Sequence, residues 1–137
     1  MQEQKTVLVT DDDPLTREIA AKVIESRGYR VLAVDSGEEA IRQFASGTHI
    51  DLHVLDVVME PIDGIETIGR LQDLGFGDVP VVLLTAQRSD DSLLEGYRAG
   101  AGYYLTKPFA PSALLNIVDY LIGDLSPAQR EELALRL

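Results

Sequence analysis

Five short apolar runs rich in β-branched residues recur along the chain, and they constrain its fold more than any other feature. They are VLV at 7–9, VLAV at 31–34, LHVL at 52–55, VVLL at 81–84 and YYL at 103–105. None of them alternates strictly between polar and apolar side chains, which is typical of strands buried on both faces of a parallel sheet. Parallel strands need long crossover connections, so the segments between the runs are expected to hold helices.

The segments between the runs do carry helix signals. Pro14 suits a first helical position, and Ser36 with Glu39 matches a capping box. Apolar residues then recur at spacings of three or four, as in Leu15, Ile19 and Val23, in Ile65, Ile68 and Leu71, and in Leu114, Val118, Leu121 and Ile122. The segment 89–100 carries a weaker helix signal because Gly96 lies in its interior, although a helix is still predicted there. The pattern predicts five βα units in a doubly wound α/β sandwich with a five-stranded parallel sheet.

The last residues form a unit of their own. In LSPAQREELALRL at 125–137, Ser126 can cap a helix, Pro127 suits its first position and Gln129 completes a capping box. We therefore expect one domain over 5–124 and a helical tail over 125–137. The tail either packs back on the domain or begins a linker to a further domain.

Composition excludes several classes of function. The 137 residues contain no cysteine, which excludes disulfides, thiolate catalysis and cysteine-bound metals. The 23 acidic and 12 basic residues give a net charge of −11, which would repel DNA or RNA. We expect no direct nucleic-acid binding by this domain. No apolar run is long enough for a membrane span and the start lacks a signal peptide, so we expect a cytoplasmic protein.

Reactive side chains follow the predicted strands. Asp11, Asp12 and Asp13 come after the first strand, Asp56 ends the third, and Thr85 ends the fourth. Lys107 follows the fifth strand. Because the carboxyl ends of parallel strands share one edge of the sheet, these side chains should converge there.

Carboxylates this close would repel one another, and a hard divalent cation would relieve the repulsion. Mg²⁺ is the expected ion, with Mn²⁺ as an alternative, because it takes carboxylate ligands and leaves room for phosphate oxygens. An ammonium and a hydroxyl beside the metal are suited to phosphoryl transfer, with Asp56 as the nucleophile that forms an acyl phosphate.

Four elements in this order carry a resemblance to a known family. They are Asp11-Asp12, Asp56, Thr85-Ala86 and Lys107-Pro108-Phe109, each at the end of a strand. The sequence resembles the receiver domain of two-component response regulators over about residues 5–124. The resemblance implies the flavodoxin-like strand order 2-1-3-4-5 and a cis peptide between Lys107 and Pro108.

The resemblance also implies roles for individual residues. Asp56 would be the phosphoacceptor, and Asp11, Asp12, Asp56 and the main-chain carbonyl of Val58 would hold Mg²⁺. Thr85 would donate a hydrogen bond to the phosphoryl group and Lys107 would pair with it. Thr85 and Tyr104 would form a conformational switch, while Val58 and Gln87 occupy the two positions that influence phosphoryl lifetime.

The implied partners are a sensor histidine kinase or a histidine phosphotransfer domain on the donor side. On the output side they are a downstream output domain or a target protein. A homodimer would form through the face made by the helix over 89–100, the fifth strand and the helix that follows. One loop departs from the family, since Met59-Glu60-Pro61 stands where Met-Pro is usual.

Two other functions are open to these residues. A haloacid-dehalogenase-like phosphatase would use Asp11 as nucleophile and Asp13 as acid, but it leaves Asp56 unused and Leu15 stands where that family has Thr or Val. A degenerate receiver would serve only as an interaction module, and the Glu60-Pro61 loop is the feature that favours this alternative. His53, three residues before Asp56, is expected to be a packed strand residue and His49 has no assigned role.

Overall fold

The computed structural model of the chain describes residues 4–86 and 98–137, in which strands and helices alternate. The strands are β1 (Thr6–Thr10), β2 (Arg30–Val34), β3 (Leu52–Asp56), β4 (Val81–Thr85) and β5 (Tyr103–Thr106). The helices are α1 (Pro14–Glu25), α2 (Gly37–Ala45), α3 (Gly64–Asp73), α4 (Pro111–Ile122) and α5 (Pro127–Ala134). Most of the helix predicted over 89–100, with Gly96 and Gln87, lies outside the described residues.

The strands form one parallel sheet in the order β2-β1-β3-β4-β5. Both the parallel α/β prediction and the strand order implied by the resemblance are confirmed. Every residue of β1, β3 and β4 is buried. Helices cover both faces of these central strands, which is why their sequences are continuously apolar instead of alternating.

The two faces of the sheet support separate cores because successive side chains of a strand point to opposite sides. Val7 and Val9 of β1 pack in a cluster with residues of α1 and α4, whereas Leu8 packs in another with residues of α2 and α3. A third cluster joins Leu55 of β3 to Ile68 of α3. Helices thus pack against both faces of the sheet. This leaves the edges of the sheet as the place for functional loops.

Helix α1 begins at Pro14 as predicted, but its apolar stripe does not mark its buried face. Ala20 and Ile24 are buried in the core, while Leu15 is 65% and Ile19 43% exposed. The spacing of apolar residues identified the helix correctly. Two of those residues nevertheless face solvent in the first half of α1, which follows the aspartates at 11–13.

Side-chain caps mark the start of four of the five described helices, and α4, which follows Ala110, has none. Asp13, Ser36, Asp63 and Ser126 accept hydrogen bonds from main-chain amides of Thr16, Glu39, Glu66 and Gln129, respectively. The reciprocal capping box predicted for the tail is confirmed, and α4 ends at Ile122 with Gly123 as its C-cap. Within residues 4–86 and 98–137, no helix is long and apolar enough to cross a membrane.

Candidate functional site

The carboxyl ends of four neighbouring strands bring the predicted reactive residues to one edge of the sheet. Asp11 follows β1, Asp56 ends β3, Thr85 ends β4, and Lys107 follows β5. Asp11, Asp56 and Thr85 are only 0%, 4% and 2% exposed. A row of polar groups is thus buried at the end of an apolar sheet, where each charge needs a partner.

Lys107 supplies a partner for two of these carboxylates. Its Nζ lies 2.7 Å from Oδ2 of Asp11 and 3.3 Å from Oδ2 of Asp56. The main-chain amide of Lys107 donates to the carbonyl of Thr85 at 2.8 Å, which ties the residue after β5 to the end of β4. One ammonium group therefore links the residue after β5 to the loop after β1 and to the last residue of β3.

Burial and charge shift the pKa values in this cluster. Burial, followed by the charge of Asp11, raises the pKa of Asp56 to about 6, although Lys107 and the Val58 amide oppose this rise. Burial alone would lower the pKa of Lys107, but its contacts with Asp11 and Asp56 outweigh it and the pKa is raised. The ammonium of Lys107 therefore stays charged at neutral pH. A cation bound beside Asp56 would favour the ionised form of its carboxyl group.

The donor set fits a hard divalent cation. Asp11, Asp12 and Asp56 each offer a carboxylate oxygen, and these oxygens lie within 4.8 Å of one another. Oδ2 of Asp11 is buried and, apart from its ion pair with Lys107, has no hydrogen-bond partner among the described residues. Oxygen-only ligands with one exposed member, Asp12, suit Mg²⁺, which retains several waters. Asp13 is not in this group because its carboxylate caps α1.

The loop between β3 and α3 holds Asp56 from the other side. The amide of Val58 donates to Oδ1 of Asp56 at 3.2 Å, while the Val58 side chain is 53% exposed. Met59 is buried, whereas Glu60 and Pro61 lie at the surface. The peptides Glu60-Pro61 and Lys107-Pro108 are both cis, the second as the resemblance implied. The unusual Glu60-Pro61 sequence therefore leaves the main-chain hydrogen bond to Asp56 in place.

Two residues that sequence reasoning did not assign also support the site. Nη1 of Arg17 donates to the main-chain carbonyl of Asp11 at 2.9 Å. Gly64 packs so closely that a Cβ added there would lie 2.4 Å from the carbonyl oxygen of Asp56. The Asp-Gly pair at 63–64 was a visible turn signal, but no sequence pattern indicates the contact of Arg17.

Tyr104 lies on β5, opposite Leu83 of β4, and 36% of it is exposed. It is three residues before Lys107 and faces a groove beside α4. The residue is therefore half at the surface, near the strand end that carries the ammonium group.

We expect Lys107→Met to lower the free energy of unfolding by about 3 kcal/mol in metal-free protein at neutral pH, the lower end of the loss that follows removal of one partner of a buried ion pair. The substitution removes the ammonium but leaves the buried carboxylates of Asp11 and Asp56 uncompensated. Mg²⁺ should reduce the difference in unfolding free energy between the parent and Lys107→Met, because the ion replaces the missing positive charge. Urea unfolding followed by circular dichroism, with EDTA and with Mg²⁺, measures both effects.

Lys22→Met is the matched control for this prediction. Lys22 pairs with Glu18 on the surface of α1, where the two side chains are 74% and 60% exposed. Exposed ion pairs contribute little to stability, so the loss in Lys22→Met should be much smaller than the loss in Lys107→Met. Equal losses in the two variants would mean that the ion pairs of Lys107 are no stronger than a surface pair.

Comparison with known proteins identifies a family whose model covers most of the chain. The family described as "Response regulator receiver domain" matches residues 7–119. The matched segment includes the aspartates at 11–13, Asp56, the end of β4 and Lys107.

Individual relatives agree with this match. The chain is 37% identical to the transcriptional regulatory protein YvrH of Bacillus subtilis over 82% of the chain and 46% of the relative. It is 32% identical to the phosphate regulon transcriptional regulatory protein PhoB of Pseudomonas aeruginosa, over 93% of the chain and 56% of the relative. The chain thus spans about half the length of these relatives. The solved structure of chemotaxis protein CheY4 of Vibrio cholerae superposes with a TM-score of 0.81 at 27% identity, covering 88% of this chain and 100% of that one.

Proposed function

This chain belongs to the receiver domain family of two-component response regulators, and on that premise we propose that Asp56 accepts a phosphoryl group from a phosphohistidine. A carboxylate oxygen of Asp56 attacks phosphorus as the P–N bond breaks, and the imidazole leaves with the electron pair and takes up a proton. The product is an acyl phosphate, which water later hydrolyses. The single observation that carries this proposal is the buried Asp56 carboxylate beside Asp11, Asp12 and Lys107.

The chain's own groups would share the work of this transfer. Asp11, Asp12, Asp56 and the main-chain carbonyl of Val58 would hold Mg²⁺, or Mn²⁺ in its place. The bound ion would neutralise charge on the phosphoryl oxygens. Lys107 would exchange part of its pairing with Asp56 for the phosphoryl group, and Thr85 would donate a hydrogen bond to it. Since the chain is itself the phosphoryl acceptor, this chemistry is self-modification and not turnover of a separate substrate.

Apolar residues beside the acidic loop support docking of a donor protein. Leu15 and Ile19 are four residues apart, so they share one face of α1, and both are exposed. Val58, 53% exposed, lies in the loop that follows Asp56. We propose that a sensor histidine kinase or a histidine phosphotransfer domain packs against this surface while its histidine approaches Asp56.

The output side is proposed from the relatives and the charge. YvrH and PhoB are named as transcriptional regulators, and both are about twice as long as the matched segment. We propose a receiver domain over 5–124 that acts on an output domain or target protein through Thr85 and Tyr104. The net charge of −11 disfavours DNA contact by this domain itself. A homodimer through β5 and its neighbouring helices stays a prediction, because most of the segment 89–100 lies outside the described residues.

Intact-mass measurement after incubation with acetyl phosphate tests the proposal. We expect a gain of one phosphoryl group that requires Mg²⁺ or Mn²⁺, disappears with EDTA and is absent in Asp56→Asn. Asp73→Asn, at the exposed end of α3, is the matched control and should be phosphorylated like the parent.

Other outcomes distinguish the alternatives. A phosphoryl gain that survives in Asp56→Asn would refute the assignment of the nucleophile. Steady hydrolysis of a phosphate ester that is lost in Asp11→Asn alone would favour the haloacid-dehalogenase-like reading. Absence of any gain, both from acetyl phosphate and from a phosphorylated histidine kinase, would favour an interaction module.

A further inference from the structure

Every polar group of Asp11 has a contact in the structure. Its main-chain amide donates to the carbonyl of Val34 at 3.2 Å, and its Oδ1 accepts from the amide of Asp13 at 2.9 Å. Its Oδ2 lies 2.7 Å from Nζ of Lys107. The remaining group, the main-chain carbonyl, accepts a hydrogen bond from Nη1 of Arg17 at 2.9 Å. Four separate contacts therefore fix the position of this candidate metal ligand.

The contact from Arg17 acts on the peptide group that joins Asp11 to Asp12. A peptide group is planar, so a hydrogen bond that holds the carbonyl oxygen also fixes the direction of the amide on the Asp12 side. Asp11 and Asp12 are two of the three residues whose carboxylate oxygens lie within 4.8 Å of one another. A guanidinium has no acceptor atom and cannot itself bind a cation. Arg17 therefore fixes the main-chain link between two candidate ligands without being one.

The side chain of Arg17 extends from the core-facing side of α1. Arg17 precedes the buried Ile24 by seven residues, which is almost two full helical turns, and the buried Ala20 by three. Both of these residues pack in the core cluster that joins α1 to the sheet. The arginine side chain is half-buried and reaches back over the start of its own helix. It therefore attaches the loop at 11–13 to a helix that the core holds in place.

The guanidinium of Arg17 would influence a bound cation in two opposite ways. Its positive charge would repel a divalent cation, whereas its hydrogen bond keeps two of the ligands in place before the cation arrives. Among the described residues it forms no ion pair with a carboxylate, and exposure to solvent screens its charge. Loss of a group that orients a metal ligand typically lowers metal affinity by about 10- to 100-fold. We therefore expect the positioning effect to exceed the repulsion.

We propose that Arg17 is a positioning residue of the metal site, which holds the peptide between Asp11 and Asp12 so that both carboxylates are placed for Mg²⁺. The inference rests on the proposed function, which supplies the metal and the phosphoryl transfer. Arg17 acts through Asp11 and does not contact the phosphoryl group. Its loss should weaken Mg²⁺ binding and slow phosphorylation where Mg²⁺ is limiting, and excess Mg²⁺ should restore the rate.

Isothermal titration of the unphosphorylated 137-residue chain with Mg²⁺ tests the positioning role directly. Arg17→Met removes the donor and the charge, and it should raise the Kd for Mg²⁺ about tenfold. Arg17→Lys keeps a charged donor on a long side chain, so its Kd should stay within about threefold of the parent's. Arg70→Met is the matched control, because Arg70 pairs only with Glu66 on the surface of α3, and its Kd should equal the parent's.

The sign of the change separates positioning from charge repulsion. A lower Kd in Arg17→Met would show that repulsion dominates, and an unchanged Kd would show that the contact has no influence on the metal; either result overturns the proposal. Urea unfolding with EDTA measures stability separately, and a loss of stability with an unchanged Kd would mean that Arg17 only braces the fold. Arg17→Gln, which is shorter and uncharged, should show the same rise in Kd and replaces Arg17→Met if that variant does not fold.

Phosphorylation by acetyl phosphate, followed by intact mass, provides a second measurement. At Mg²⁺ concentrations below the parent's Kd, Arg17→Met should react about tenfold more slowly than the parent, and at saturating Mg²⁺ within about threefold of it. Equal slowing at both concentrations would overturn the proposal, because the effect would then not pass through the metal. A parent that neither binds Mg²⁺ nor gains a phosphoryl group would refute the proposed function together with this inference. A parent that does both, with Arg17→Met unchanged, would refute the inference alone.

Discussion

Gly64→Ala should lower the free energy of unfolding by about 3 kcal/mol and slow phosphorylation of Asp56 at least about tenfold. The added Cβ would lie 2.4 Å from the main-chain oxygen of Asp56 and 3.0 Å from Cα of Val57. Both contacts are with backbone, which cannot rotate away, and the Gly64 amide is held by the Val57 carbonyl at 2.8 Å. Relief therefore requires a shift of the strand end that carries the phosphoacceptor. Urea unfolding and intact-mass time courses with acetyl phosphate measure the two effects.

Gly69→Ala provides the matched control, since it makes the same substitution within the same helix α3. A Cβ at Gly69 meets no atom within 4 Å, so replacement should stabilise the protein by about 0.5–1 kcal/mol through helix propensity. Phosphorylation of Gly69→Ala should match that of the parent. If Gly64→Ala were as stable and as readily phosphorylated as Gly69→Ala, the close packing behind Asp56 would be irrelevant to the site.

Acid should destabilise the protein through His53 by about 4 kcal/mol between pH 6.5 and pH 3. His53 is fully buried in β3, as expected from the sequence, with Nε2 2.8 Å from Oγ1 of Thr10 and with no partner for Nδ1 among the described residues. Burial lowers its pKa from 6.5 to about 3. Between pH 6.5 and about pH 3, His53 therefore binds a proton in the unfolded chain but not in the native protein. The contribution of His53 is complete above pH 6.5 and is lost as the pH falls.

The comparison with His53→Gln isolates this contribution. Asp56 acts in the opposite direction, because its raised pKa makes the native state take up a proton below about pH 6. That contribution is common to both proteins and cancels in the difference. Unfolding free energies measured with EDTA should show the parent losing about 2 kcal/mol relative to His53→Gln between pH 7 and pH 5. Parallel pH profiles would show that His53 is protonated equally well in the folded protein.

Local patterns were sufficient to predict the strands and helices of the described residues. The five β-branched runs became the five strands, and Ser36, Pro14 and the Ser126 capping box mark helix starts in the structure as they do in the sequence. These signals depend on residues close together in the chain, so a single sequence contains them completely. The convergence of Asp11, Asp56 and Lys107 also followed from sequence, because parallel strands align their carboxyl ends at one edge.

The order of the elements, most of their caps and the set of reactive groups at the strand ends can therefore be inferred from local signals in the chain. Packing between elements is needed to explain which face of α1 is buried and why Leu15 and Ile19 are exposed. Packing also brings Gly64 against the Asp56 carbonyl and the guanidinium of Arg130 to the end of α4. Each of these contacts depends on how separate helices and loops pack together. Apolar periodicity and capping residues are local features of one segment of the chain. Contacts between separate segments depend on how these segments are placed in three dimensions.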